Sequence, residues 1–101
     1  GGAPSDVTDA LSFGAHHYPN PFNPKVTIAY NMPREGHLSV KVFDVRGRLV
    51  STVVDSQHEA GPGEVQWDGR TTAGEAASAG VYFYEARTGE DVVIGKMALI
   101  K

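Results

Sequence analysis

From Val26 onward the chain alternates between apolar and polar positions. Val26, Ile28 and Tyr30 are interleaved with Thr27, Ala29 and Asn31, the period-two pattern of a half-buried strand. Pro33 ends that run and Glu35 with Gly36 supplies a turn. Leu38, Val40 and Val42 then alternate with Ser39, Lys41 and Phe43, and Arg46-Gly47 closes a hairpin, with Gly47 able to take positive φ. The return run over residues 49–54 is rich in β-branched residues and stops at Asp55. Residues 56–63 are polar and carry Gly61-Pro62-Gly63, which reads as a turn. Val65 and Trp67 point one way, Glu64 and Gln66 the other, and Asp68-Gly69 opens a loop rich in Thr, Ala and Gly that runs to Ala79. The run over residues 80–88 is an aromatic strand, with Tyr82 and Tyr84 on one face and Val81 and Phe83 on the other. Gly89-Glu90 turns the chain into a last strand over residues 92–100. With a further strand near residues 16–18, strands recur roughly every ten residues, the spacing of an all-β antiparallel sandwich of about seven strands. No segment shows a helical period.

Two segments interrupt the alternation. In Tyr18-Pro19-Asn20-Pro21-Phe22-Asn23-Pro24, three prolines exclude both a helix and a central strand. Each residue before a proline is driven to extended geometry, and the asparagines satisfy local backbone groups through Asx-turns. The segment is expected to be a stiff corner that pins Tyr18 and Phe22 to the domain. Residues 1–15 are small and polar apart from Val7, Leu11 and Phe13, and read as a linker or strap. The domain proper is then residues 16–101. Gly1-Gly2 and the absence of an initiator Met fit a piece of a larger parent protein. At the other end Lys96-Met97-Ala98-Leu99-Ile100-Lys101 sets an apolar run between two lysines. It is expected to be a final edge strand whose lysines discourage edge-to-edge pairing, or which a receptor reads.

Size and charge narrow the function. A chain of 101 residues buries roughly 65% of its unfolded surface, enough for one core. It has no cysteine, so neither a disulfide framework nor a thiolate metal site is available. Its net charge of −3, with Lys and Arg scattered, argues against nucleic acid as a partner. No apolar stretch approaches the length of a membrane-crossing helix.

The candidate chemistry is sparse. His16 and His17 are adjacent and on a strand face opposite sides, while His37 and His58 fall in a turn and a loop, so no zinc-like spacing results. Asp44, Asp55, Asp68 and Asp91 mark strand ends without the fixed spacing of a calcium loop, and Asx-turns account for them. No nucleophile elbow or phosphate-cradling glycine loop is present, so a non-catalytic module without cofactor is expected. Trp67, Tyr82 and Tyr84 read as core, and Phe83 is the aromatic best placed for exposure and for sugar stacking.

The ordered motifs resemble a family. The stretch from Tyr18 to Pro24 resembles the opening of type A C-terminal sorting domains of the type IX secretion system. Residues 40–50 resemble that family's hairpin, Trp67-Asp68-Gly69-Arg70 its Trp-Asp-Gly turn, Gly80-Val81-Tyr82 its Gly-x-Tyr strand, and residues 96–101 its Lys-bounded last strand. The second half is also similar to the Ig-like domain of the flagellar hook-capping protein.

The resemblance implies an Ig-like β-sandwich fused to a secreted cargo, often a hydrolase, in Bacteroidetes and related phyla. It implies a passage through the periplasm, export by the type IX translocon, and residence at the cell surface or outside the cell. A sortase either cuts within residues 1–15 and attaches the cargo to anionic lipopolysaccharide or leaves the domain in place. On this reading Gly80, Tyr82, Lys96, Met97, Leu99 and Lys101 are the recognition determinants, while Trp67, Asp68 and Gly69 are structural. An edge strand with unpaired backbone groups suits β-augmentation by a receptor, and equally a strand-swapped homodimer. The competing readings are a carbohydrate-binding or spacer module of a secreted glycoside hydrolase or peptidase, and an assembly module like the hook cap.

Overall fold

A computed structural model describes residues 13–101. They form seven strands: β1 (Gly14–Tyr18), β2 (Val26–Met32), β3 (Gly36–Asp44), β4 (Leu49–His58), β5 (Gly61–Trp67), β6 (Gly80–Thr88) and β7 (Asp91–Leu99). All pair antiparallel in two sheets, ordered β1-β2-β5 and β4-β3-β6-β7. The all-β, Ig-like sandwich expected from the alternation is the fold.

The inward set of each strand fills the space between the sheets. Val26, Ile28 and Met32 of β2 meet Leu38, Val40 and Val42 of β3, Tyr84 and Ala86 of β6, and Met97 and Leu99 of β7. Trp67, Tyr82 and Phe22 close one end of this core. The Trp67 ring lies 5.7 Å from Phe22 and 5.3 Å from Tyr82 in tilted and edge-to-face contacts, geometries that aromatic quadrupoles favour. Burying side chains of this size contributes about 1.5–3 kcal/mol each, enough to make the period-two alternation dictate the layering.

Several boundaries differ from the expectation. β1 takes in Gly14 and Ala15, which the sequence assigned to the linker; the rest of the linker expectation, over residues 1–12, lies outside the described residues. β4 runs on through Asp55 to His58, because β3 supplies partners as far as Gly36. The two register shifts in that pairing fall at Val50 and Val53, in the apolar half, whereas Asp55, Ser56 and Gln57 are polar and exposed and so carry no buried alternation for the sequence to show. Gly61-Pro62-Gly63 is the start of β5 rather than a turn. β5 is an edge strand, where the missing N–H of a proline is tolerated.

The β3–β4 hairpin is built as its sequence demands. Asp44 Oδ1 accepts hydrogen bonds from the backbone N–H groups of Arg46 and Arg48 at 2.9 and 3.0 Å, and Gly47 takes φ of +81°. The Arg48 amide, then that of Arg46, and the two guanidinium charges hold the Asp44 carboxyl below its ordinary value.

Candidate recognition surface

β7 is an outer strand of its sheet, with β6 on one side. The proline-rich corner covers the C-terminal part of its other side. The N–H of Phe22 donates to the carbonyl of Ala98 and the N–H of Ile100 donates to the carbonyl of Phe22, each at 2.9 Å. Asn20 Oδ1 accepts from the N–H of Ala98 at 3.0 Å, and Phe22 bridges Leu99 in parallel. Phe22 is held in place for this because its ring is buried against Trp67. The terminal edge expected to be unpaired is therefore strapped at residues 98–100.

The strap leads to one expected outcome. Asn20→Ala removes the acceptor of the Ala98 N–H, and water substitutes because the site is exposed. Stability should fall by about 0.5–1.5 kcal/mol in urea unfolding, with amide exchange accelerating at Ala98.

Upstream of the corner, β1 runs beside β7, and His17 makes a hydrogen bond to the backbone of Lys96. Its ring meets Tyr84 edge-on at 5.3 Å, and its Nε2 atom is buried without a partner. Burial pushes the imidazole below its ordinary value of 6.5; the Lys96 bond opposes this and the neighbouring His16 adds to it. A depressed histidine favours the neutral form in the folded state. Its contribution is complete above about pH 6.5 and is lost as pH falls below that toward the folded value. Unfolding midpoints of the wild type and His17→Phe, compared from pH 7.5 to 5, should diverge as pH drops. The wild type should lose more stability, because phenylalanine keeps the ring contact and cannot take up a proton.

The six residues expected to mediate recognition do not share one surface. Tyr82, Met97 and Leu99 are core residues, with Met97 wholly buried. Tyr82 Oη donates to the carbonyl of Ser78 at 2.6 Å, four residues upstream, as the corner tyrosine of Ig sandwiches does. Burial, with a smaller effect from Asp44, raises its phenol above the ordinary value. Gly80 is exposed at the start of β6, opposite Leu99. Lys96 is exposed on the outer face of the four-stranded sheet, opposite Phe83. Lys101 instead lines a cleft of about 550 Å³ with Asn23, Pro24, Asp68 and Arg70. The two lysines thus belong to different faces.

Asp68, Gly69 and Arg70 build one wall of that cleft, and the buried Trp67 braces it from behind. Trp67 Nε1 donates to the carbonyl of Arg70 at 2.9 Å, and Asp68 Oδ1 accepts from the Arg70 N–H at 3.1 Å. Gly69 has φ of +75° and sits against the carbonyl of Pro24, so a side chain there meets both a strained backbone and a collision. Arg70 Nη1 donates to the carbonyl of Gly74 at 2.9 Å and the Ala77 N–H donates to that of Gly69 at 2.8 Å, which folds the long loop back on itself. Of the corner residues, Pro19, Asn20, Pro21, Asn23 and Pro24 are exposed and only Phe22 is buried. Tyr18 is not pinned to the core: it is 46% exposed, stacks on His16 and donates its hydroxyl to Glu64 on the outer face of the three-stranded sheet.

Some contributors have no clear signature in the sequence. Ser56 Oγ, His58 and Tyr30 Oη form a hydrogen-bonded line of 3.2 and 3.1 Å that staples β4 to β2. Gly95 lies under the ring of Tyr84, its register partner, and Gly63 under that of Tyr30. The only available clue to these pairs is a glycine within an alternating strand, which marks a close approach without saying to what. Among the described residues no group of three His, Asp or Glu side chains is placed to hold a metal ion.

A family model described as the FlgD Ig-like domain matches residues 23–91. No curated protein matches the chain. Among solved structures, dimeric latent PorU from Porphyromonas gingivalis superposes with a TM-score of 0.74 at 21% identity, over 85% of this chain and 9% of that one. PorZ of the same organism, described as an essential bacterial surface component of the type-IX secretion system, gives 0.62 at 31% identity, over 87% of this chain and 12% of that one. FlgD from P. aeruginosa gives 0.57 at 27% identity, over 71% and 55%. The chain thus corresponds to about a tenth of PorU or PorZ and about half of FlgD.

Proposed function

The chain belongs to the FlgD Ig-like domain family, and from that premise we propose that it is a non-catalytic sorting module that directs a fused cargo through the type IX secretion system. One observation carries this reading. The proline-rich corner and the lysine-bounded last strand, which open and close the sequence resemblance, are hydrogen-bonded to each other. The corner up to Phe22 and nearly all of β7 lie outside the stretch matched by the family model. The elements added to the generic domain therefore form one unit. The likeness to PorZ, itself a surface component of that system, supports the same direction.

The module is carried across the periplasm folded and presents the strapped end of β7, with Lys96 and Lys101 as its charged marks. The translocon is the first partner and a surface sortase the second. The cargo ends at the cell surface, on anionic lipopolysaccharide, or in the medium.

The test is a fluorescent reporter fused ahead of the domain, behind a signal peptide, in a bacterium with a type IX system. Deleting residues 96–101 is the wrong variant, because it strips Met97 and Leu99 from the core. Lys96→Glu, Lys101→Glu and the double variant leave the core intact. Surface or medium delivery by the wild type, reduced by these variants, is the expected result. Periplasmic retention of a folded wild-type fusion overturns the proposal.

A further inference from the structure

The outer face of the four-stranded sheet divides into two unlike halves. Register places Leu49, Phe43, Phe83 and Lys96 side by side across all four strands. The neighbouring rows add Val81, Ile94 and, by alternation past Ala98, Ile100. Leu49 is 52%, Ile94 65% and Ile100 49% exposed, while Phe43 and Phe83 lie half-buried between them. The other half is polar and internally paired: His37 bonds to Asp55, and Arg87 lies 3.5 Å from Glu85. Lys41 and Lys96 border the apolar half: Lys41 stands opposite Glu85 in the row of Ile94, while Lys96 stands opposite Phe83, and neither is within ion-pair distance of a carboxylate among the described residues. An apolar patch of contiguous side chains on a chain of net charge −3, edged by two ammonium groups of which Lys96 faces only Phe83, is the pattern of an interface.

We infer that this half-face, centred on Phe43 and Phe83, docks a partner protein whose surface is apolar at its centre and acidic at its rim. A second copy of the chain fits poorly. A two-fold contact sets the same patch against itself, and the lysines of one copy would then approach those of the other. An acidic rim gives each lysine a counter-charge while the two phenylalanines and Ile94 are withdrawn from water. The inference shares Lys96 with the sorting reading and in that respect rests on it. It differs in placing the contact on a sheet face, where Lys101 has no part.

The experiment places a photo-crosslinking p-benzoylphenylalanine at position 83 of the parent protein in its own bacterium, with the same probe at position 27 as control. Thr27 is on the outer face of the other sheet. The expected result is an adduct from position 83 whose partner peptide, mapped by mass spectrometry, is acidic. Lys41→Glu/Lys96→Glu should weaken it about tenfold, since like charges would then face each other. Lys96→Glu alone should weaken it less, and serves if the double variant does not fold. Absence of an adduct, an adduct only between two copies, or an adduct of equal strength in the charge-reversed proteins overturns the inference. Export of the reporter fusion is scored separately. A wild-type fusion that stays periplasmic removes the sorting reading while the crosslink decides this one; export unaffected by Lys96→Glu, with no crosslink, removes this one and leaves sorting to Lys101 and the strap.

Discussion

Replacing Trp67 by alanine is expected to destabilise the domain by about 3–5 kcal/mol, the cost of deleting a fully buried large aromatic. Trp67 is 2% exposed and is the shared neighbour of Phe22 and Tyr82. Its loss opens a cavity that those rings do not fill, because Phe22 is tethered by its backbone to Ala98 and Ile100 and Tyr82 by its hydroxyl to Ser78. Domains of this size have roughly 5–15 kcal/mol in total, so the change removes from about a fifth to all of it, and the unfolding midpoint should drop by about 4–8 °C for each kcal/mol. Trp67→Phe should cost less, since most of the packing survives and the lost term is the bond to the Arg70 carbonyl. Urea and thermal unfolding of the three proteins check the order. If Trp67→Ala falls within about 1 kcal/mol of wild type by urea unfolding, at most a third of the expected cost, Trp67 does not anchor the strap.

Gly95→Ala should be the second severe change, at about 1–3 kcal/mol, although alanine is the smallest addition possible. The added methyl group would overlap the Tyr84 ring, and Tyr84 is held in the closed core between β3 and β7. Gly63→Ala is the matched control. There the ring belongs to Tyr30, which is only half-buried and can turn outward, losing mainly its bond to His58. Gly95→Ala should therefore be clearly the less stable of the two by urea unfolding. Equal stabilities would mean that Tyr84 has room to move, contrary to its packing.

The distinction between these two glycines bears on function as well as stability. Gly95 immediately precedes Lys96, and Tyr84 lies under the same stretch that His17 holds through the Lys96 backbone. A disturbance there tilts the strand that presents the lysine. The same stretch borders the apolar half-face around Phe83. Strand position, strap and patch are thus coupled through β7, which β6, β1 and the proline-rich corner all contact.

Much of this architecture is local in origin. Alternation with period two assigned Val26, Ile28, Leu38, Val40, Val42, Tyr82 and Tyr84 to the inside, because a strand has only two faces and one of them must leave water. Turn chemistry placed the hairpin at Gly47 and the turn at Gly89, where φ is positive. The aromatic roles of Trp67, Tyr82 and Tyr84 followed from the same periodicity. What the alternation cannot carry is which edges meet. The polar end of β4 and the glycine-proline start of β5 are strands only because β3 and β2 offer partners there. Met97 and Leu99 looked like recognition residues beside Lys96 and Lys101, yet the pleat turns them into the core and turns the lysines to separate faces. The sequence by itself determined the sandwich, most of its inward residues and the turns at Gly47 and Gly89, since these depend on neighbours in the chain. Only the tertiary structure decided that Asn20 and Phe22 close the edge of a strand 78 residues away, and that Phe43, Phe83 and Ile94 share one exposed face. Such contacts depend on sheet order and register, and no local pattern of residues encodes either.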